Sequence, residues 1–269
     1  MRKIQFVLFS LVISMLAFGC SDAVDQLTGL TPENDVEMGK SVVAQIAQDP
    51  TNYPVLSEED YPEAYAYIQK MTDAIVASDD VKYKDIFHYD EVKIIHNDEV
   101  LNAFATPGGF IYVYTGLIHY LDNADDLAGV MGHEIAHASE RHSSDQMKEN
   151  LGLQIIVQIL LGEGNVAQLA SGFFALKFSR EDEAESDEHS VIYLNDTEYA
   201  CNGAATFFEK LSASGQSSGP EFLSTHPSPT NRVQDINAKA DELGCDKSGI
   251  SETGISYDDF KDSLPTPAQ

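Results

Sequence analysis

Apolar residues recur at helical spacing along most of the chain and give way to extended patterning in one short region. Val36, Met38, Val42, Val43 and Ile46 predict a helix over 33–48, opened by Thr31-Pro32. Tyr65, Ile68, Met71 and Ile75 predict a second helix over 62–77. A β-branched run at 92–96 then reads as a strand, and Asn97-Asp98-Glu99 as a turn. Pro107-Gly108-Gly109 marks another turn before a second strand at 110–114. Together they suggest a small antiparallel sheet, with the later strand as an outer one able to pair with an extended peptide. Helical patterning returns at 116–121, 124–140, 180–194, 201–211 and 230–243. Residues 145–178 are mostly apolar and helical, broken at Gly162-Glu163-Gly164. Residues 212–219 have linker composition. The pattern predicts an α+β chain, mainly α, with the sheet just before the helix at 124–140.

That helix carries Val130-Met131-Gly132-His133-Glu134-Ile135-Ala136-His137. His133 and His137 stand four apart on one helical face, so both imidazoles could grip one ion. Glu134 points about 100° away, where it could act as base towards a water rather than as a ligand. Leu127, Val130, Met131 and Ile135 give the helix a buried side. The competing reading is an ordinary amphipathic helix with solvated histidines. The three-histidine extension of this motif needs glycine at 140 and histidine at 143, where the chain has Glu140 and Ser143. His142 therefore reads as structural or as a partner of a ligand. His88, His96, His119 and His189 read as surface or satisfied polar groups.

Two imidazoles leave a catalytic zinc site one protein ligand short. The stretch Ser179-Arg180-Glu181-Asp182-Glu183-Ala184-Glu185-Ser186-Asp187 offers it from another helix. Glu183 and Asp187 share a face, so one could ligate while the other orients a ligating histidine. By spacing alone Glu181 could replace Glu183. The remaining acidic residues fit a solvated helix face.

Charge narrows the partners. With 16 basic and 44 acidic residues and a net charge of −28, the chain would be repelled by a phosphate backbone, which excludes nucleic acid. Residues 1–19 combine Arg2, Lys3 and an apolar stretch too short to span a bilayer, ending at Gly19-Cys20. This reads as a lipoprotein signal with Cys20 as the lipidated residue, followed by a tether over 20–33; the competing reading is a plain secretory signal with an incidental cysteine. The domain proper is expected over 34–248, with a polar, loosely ordered tail over 249–269. Cys201 and Cys245 remain and read as a disulfide between the last helices in an oxidising compartment, with two buried thiols as the competing reading.

Four ordered blocks carry a family resemblance: Asn102-Ala103-Phe104 with Pro107-Gly108-Gly109; His133-Glu134-Ile135-Ala136-His137 with Arg141-His142; Ser179-Arg180 with Glu183 and Asp187; and His226-Pro227 with Arg232. Over residues 30 to 245 the chain resembles the zinc metallopeptidases that include the CAAX prenyl proteases, the heat-shock protease HtpX and the periplasmic proteases of outer-membrane assembly. Ser186 and Ser190 stand where that pattern usually has alanine and glycine. The resemblance implies a zincin-like fold, one zinc ion per chain held by His133, His137 and Glu183, Glu134 as catalytic base, and Asp187 and His142 behind the ligands. It also gives His226 a place over the metal, either as a resting ligand or as an oxyanion donor, and has Arg232 hold substrate or fix His226. Asn102 and the strand Phe110, Ile111, Tyr112, Val113 and Tyr114 would align substrate.

The implied function is a zinc endopeptidase acting on unfolded or misassembled envelope polypeptides, lipid-anchored at the periplasmic face of the outer membrane. The alternative is a chaperone or assembly factor that binds such proteins with little or latent proteolysis. Prenyl-protein processing is disfavoured, since no set of membrane helices encloses a lipidated peptide.

Overall fold

The computed structural model describes residues 30–213, 221–227, 231–249 and 255–266. The signal at 1–19, Cys20, most of the tether and most of the linker lie outside these residues. Twelve α-helices and one small sheet are present among them. Helix α1 (Pro32–Gln48) starts where Thr31 caps it, its hydroxyl accepting from the Asn34 N–H while the Asn34 side chain accepts from the Thr31 N–H. Helix α2 (Pro62–Val76) buries Ile68, Met71 and Ile75 on the predicted face.

The sheet comprises β1 (Val92–Ile95), β2 (Ala103–Ala105) and β3 (Ile111–Tyr114), in the order β1-β3-β2. It is mixed rather than antiparallel, since β1 runs parallel to β3 and only β2 is antiparallel to it. The β2–β3 connection passes through a 3₁₀ turn, Pro107–Gly109. Gly108 and Gly109 there have φ of 76° and 83°, a left-handed backbone that suits glycine. The long connection between β1 and β2 carries β2 to the other side of β3, so the presumed outer strand is central. Its backbone is paired on both edges, which removes Ile111, Tyr112, Val113 and Tyr114 as a docking edge for substrate, and Phe110 is held in the turn before it, its carbonyl accepting from Thr106 N. The outer edge of β1 is bonded by the 54–56 segment, with Leu56 N donating to Ile94 O and His96 N to Pro54 O. The edge left on the other side is β2.

Helix α3 (Thr115–Tyr120) leads into α4 (Ala124–Ser139), capped by Asn123. All of α4 except Asp125 is buried. This is possible because α4 packs backbone to backbone against the start of α9 (Gly203–Ala213): a Cβ on Gly129 would lie 2.0 Å from the Ala204 nitrogen, and one on Gly203 1.9 Å from the Asp125 oxygen. The apolar stretch after α4 divides into α5 (His142–Leu151), α6 (Leu153–Leu160) and α7 (Val166–Phe174). Helix α8 (Arg180–Leu194) opens on a capping box between Ser179 and Asp182 and packs along α4. A short α10 (Glu221–Thr225), which no pattern had announced, precedes α11 (Arg232–Leu243).

A disulfide joins Cys201, just before α9, to Cys245, just after α11. The tail is not uniformly loose: Tyr257 and Phe260 on α12 (Tyr257–Asp262) are buried, and Phe260 stacks on Tyr67 of α2 at 4.3 Å. Two aromatic anchors in a polar sequence were enough to dock it. No helix among the described residues is long and apolar enough to cross a membrane.

Candidate metal centre

Helices α4 and α8 bring the two sequence constellations face to face. His133 and His137 are fully buried, with their Nε2 atoms 3.0 Å apart. Glu183 is also fully buried; its Oε1 lies 3.3 Å from His137 Nε2 and its Oε2 3.5 Å from His133 Nε2. His226 enters from the end of α10, its Nδ1 2.9 Å from Glu183 Oε1 and 3.4 Å from His133 Nε2. One donor atom from each of these four residues lies within 4.8 Å of the others. Donors about 2.0–2.2 Å from one tetrahedral ion stand roughly 3.3 Å apart, and the observed separations straddle that value. The residues therefore fit a metal ion of the zinc type. Glu181 is exposed, which leaves Glu183 as the carboxylate at the centre.

The groups behind the donors fix their orientation. Asp187 Oδ1 is 2.9 Å from His133 Nδ1, turning Nε2 of that ring towards the cluster. Arg232 binds Asp187 in a fork, Nε to Oδ2 at 2.6 Å and NH2 to Oδ1 at 2.7 Å, and also lies 3.0 Å from Glu183 Oε2. Its guanidinium stacks over Phe208 at 3.7 Å. Arg232 thus positions the two carboxylates from inside the protein. His142 Nδ1 is 3.0 Å from His137 Nδ1, and its other nitrogen is 3.2 Å from Glu185 Oε2. Ser186, in place of the usual alanine, sets its hydroxyl 3.3 Å from the same His142 ring. The hydroxyl of Ser190 donates to Asp187 O, so both departures from the family pattern are absorbed by hydrogen bonds.

Electrostatics sort these groups. Burial and Arg232 both oppose a charge on His133, yet Asp187 and Glu183 outweigh them and hold its pKa at about 9. Burial pushes His137 well below the usual range. Burial would raise Glu183, but His226, His133 and His137 keep it ionised far below the ordinary carboxylate range. Glu134 goes the other way: burial raises it, against the pull of His226 and His133 and a hydrogen bond from the Ala105 N–H. Its Oε1 has no hydrogen-bond partner and lies 3.6 Å from His226 Nε2. Of two buried glutamates, one is held as an anion, while burial favours the protonated form of the other.

Glu134 and His226 open onto a cavity of about 110 Å³, lined also by Asn102, Phe104, Tyr114, Phe173, Phe174 and Phe178. Of the residues expected to align substrate, Asn102 and Tyr114 lie at the cleft, whereas Phe110, Ile111, Tyr112 and Val113 do not line it. The aromatic wall was not anticipated. Phe178 stacks on His137 at 3.9 Å and Phe222 on His226 at 4.4 Å. The Phe173-Phe174 pair inside an apolar helix and Phe178 just before the α8 cap were the available signals, but both suit a plain core equally well.

A buried histidine pair on one helix, a carboxylate from a second helix packed along it and a glutamate aimed at a cleft define a metallopeptidase. The sequence profile of peptidase family M48 matches residues 62–240, and the chain belongs to that family, whose members are metal-dependent. It is 34% identical over 142 residues to the mitochondrial metalloendopeptidase OMA1 of Arabidopsis thaliana, covering 52% of this chain and 29% of that protein. Similarity to the beta-barrel assembly-enhancing proteases of Yersinia pestis and Escherichia coli K12 is lower, 26% and 27%, but covers 87% of this chain. The chain spans 53% and 51% of those two proteins.

Proposed function

We propose that the chain is a zinc-dependent endopeptidase that hydrolyses unfolded or misassembled proteins of the cell envelope. The observation that carries this reading is Glu134, buried beside the donor cluster, raised in pKa and open to an apolar cleft. His133, His137 and Glu183 would hold the zinc, which when bound supplies Lewis acidity to a water and to the scissile carbonyl. Glu134 takes the proton from the attacking water and returns it to the leaving amine. Arg232 and Asp187 keep His133 in its ligating orientation throughout. The β2 edge, with Asn102 and Phe104 beside the cleft, is the strand segment placed to align an extended polypeptide. The aromatic wall suits an apolar side chain next to the scissile bond.

The envelope assignment is supported by the similarity to beta-barrel assembly-enhancing proteases and by the leader ending at Cys20. A lipid on Cys20 would hold the enzyme at the outer membrane. His226 Nδ1 stands among the donors and Nε2 faces Glu134, so this residue either completes the resting metal shell or donates to the oxyanion. His226→Ala would raise activity in the first case and lower it in the second.

The decisive test is Glu134→Gln assayed on a generic unfolded protein with metal content measured in parallel. We expect a loss of roughly 10³-fold, within the range for a general base, with one zinc ion retained per chain. Cleavage at the parent rate would overturn the assignment. Protection of an unfolded client that survives in the inactive variant would show that binding contributes independently of turnover.

A further inference from the structure

A second set of donors converges where the C-terminal end of α4 meets α8. Glu140 caps α4, and Glu185 and His189 lie one turn apart on α8 and so share a face. One ligand atom from each of the three lies within 4.8 Å of the others. The pairing within this set is incomplete. Glu140 Oε1 and His189 Nδ1 are 3.5 Å apart, yet each is buried without a hydrogen-bond partner. The Glu140 side chain is only 8% exposed, so water does not readily take up the unused oxygen. A carboxylate oxygen and an imidazole nitrogen facing each other without a hydrogen bond are spaced as two ligands of one ion are, about 3.3 Å apart.

The surroundings permit a cation. Lys82 pairs with the other Glu140 oxygen from a half-exposed side chain, which leaves Oε1 to the cation. Tyr193 meets the His189 ring edge-on at 5.5 Å, holding its plane. Glu185 is half exposed and is shared with His142. We infer that Glu140, Glu185 and His189 form a second divalent-cation site, separate from the His133–His137–Glu183 cluster. Two carboxylates and one imidazole, with water completing the shell, suit Zn²⁺ or Mn²⁺. Because Glu185 also contacts His142, and His142 contacts His137, filling this site draws Glu185 away from the residue that backs a ligand of the first one.

The test is a metal count on the full chain, stripped of metal and dialysed against Zn²⁺ at rising free concentration. The parent should take up two ions per chain, Glu185→Gln and His189→Ala one. His137→Ala should lose the first ion and keep the second, which separates this inference from the peptidase reading. A single ion in the parent, or a second one that persists in both Glu185→Gln and His189→Ala (an adventitious ion only), would overturn it. Should His189→Ala fail to fold, the ¹⁵N resonance of the His189 ring in the parent decides. It must shift as the second equivalent of Zn²⁺ binds, and an unmoved resonance refutes the site.

Discussion

Helix α4 and the α6–α7 segment, whose α7 end lines the cleft through Phe173 and Phe174, are built on opposite terms. On α4 only Asp125 escapes burial, and its small residues admit neighbouring backbone at less than normal side-chain distance. On α6 only Ile156 and Ile159 are buried, and on α7 only Leu169, Ala170 and Phe173. Leu161 is 70% exposed, and Val166 and Phe174 are more than a third exposed. Metal donors need fixed mutual geometry, so they stand on an element whose position is over-determined by packing. The aromatic wall of the cleft is drawn from the weakly packed end of the structure.

This contrast can be broken at its rigid side first. Gly129→Val would force two methyl groups into the backbone of residues 203–204, where even a Cβ lies at 2.0 Å. We expect a loss of about 3 kcal/mol or more, seen as absence of a cooperative unfolding transition. A parent-like Tm would mean that α4 and α9 are not pinned together. Arg232→Ala comes next, because it strands Asp187 and Glu183 in the interior. A cost of roughly 3–5 kcal/mol is typical of a broken buried pair, and denaturant unfolding of the metal-free protein measures it. Arg232→Lys should recover only part of that, since an ammonium cannot make the two-pronged contact.

On the adaptable side the expected effects move from stability to kinetics. Phe174→Ala should raise KM for an apolar substrate about tenfold while changing stability by less than about 1 kcal/mol. An effect confined to Tm would make Phe174 plain packing. Leu161→Ser should fall within about 0.5 kcal/mol of the parent, and a larger loss would show the segment to be more firmly packed than its exposure implies.

Glu134 supplies a finer comparison inside the rigid region. Its folded-state pKa is raised by burial, so its favourable contribution is present below the unfolded carboxylate pKa of about 4.3 and is lost as pH rises through the folded value. Metal-free Glu134→Gln should therefore unfold at higher temperature than the parent at neutral pH, with the gap closing towards pH 4. A gap that widens on acidification would reverse the sign of the shift.

Much of this organisation is written locally. Thr31, Asn123 and Ser179 start their helices through hydrogen bonds reaching three residues ahead, and the four-residue spacing of His133 and His137 fixes one ion-facing edge. Such features depend on backbone geometry over a single turn, so they can be read without knowing what packs against them. Strand order could not be read in that way, because residues 92–95 and 111–114 satisfy either pairing direction and only the path of the chain between them made β3 central. Nor does the sequence tell Glu183 from Glu181, or say that Arg232 pairs with two buried carboxylates. Those distinctions arise between elements far apart in sequence, where burial decides which charged groups must find partners, and only the tertiary structure supplies the neighbours.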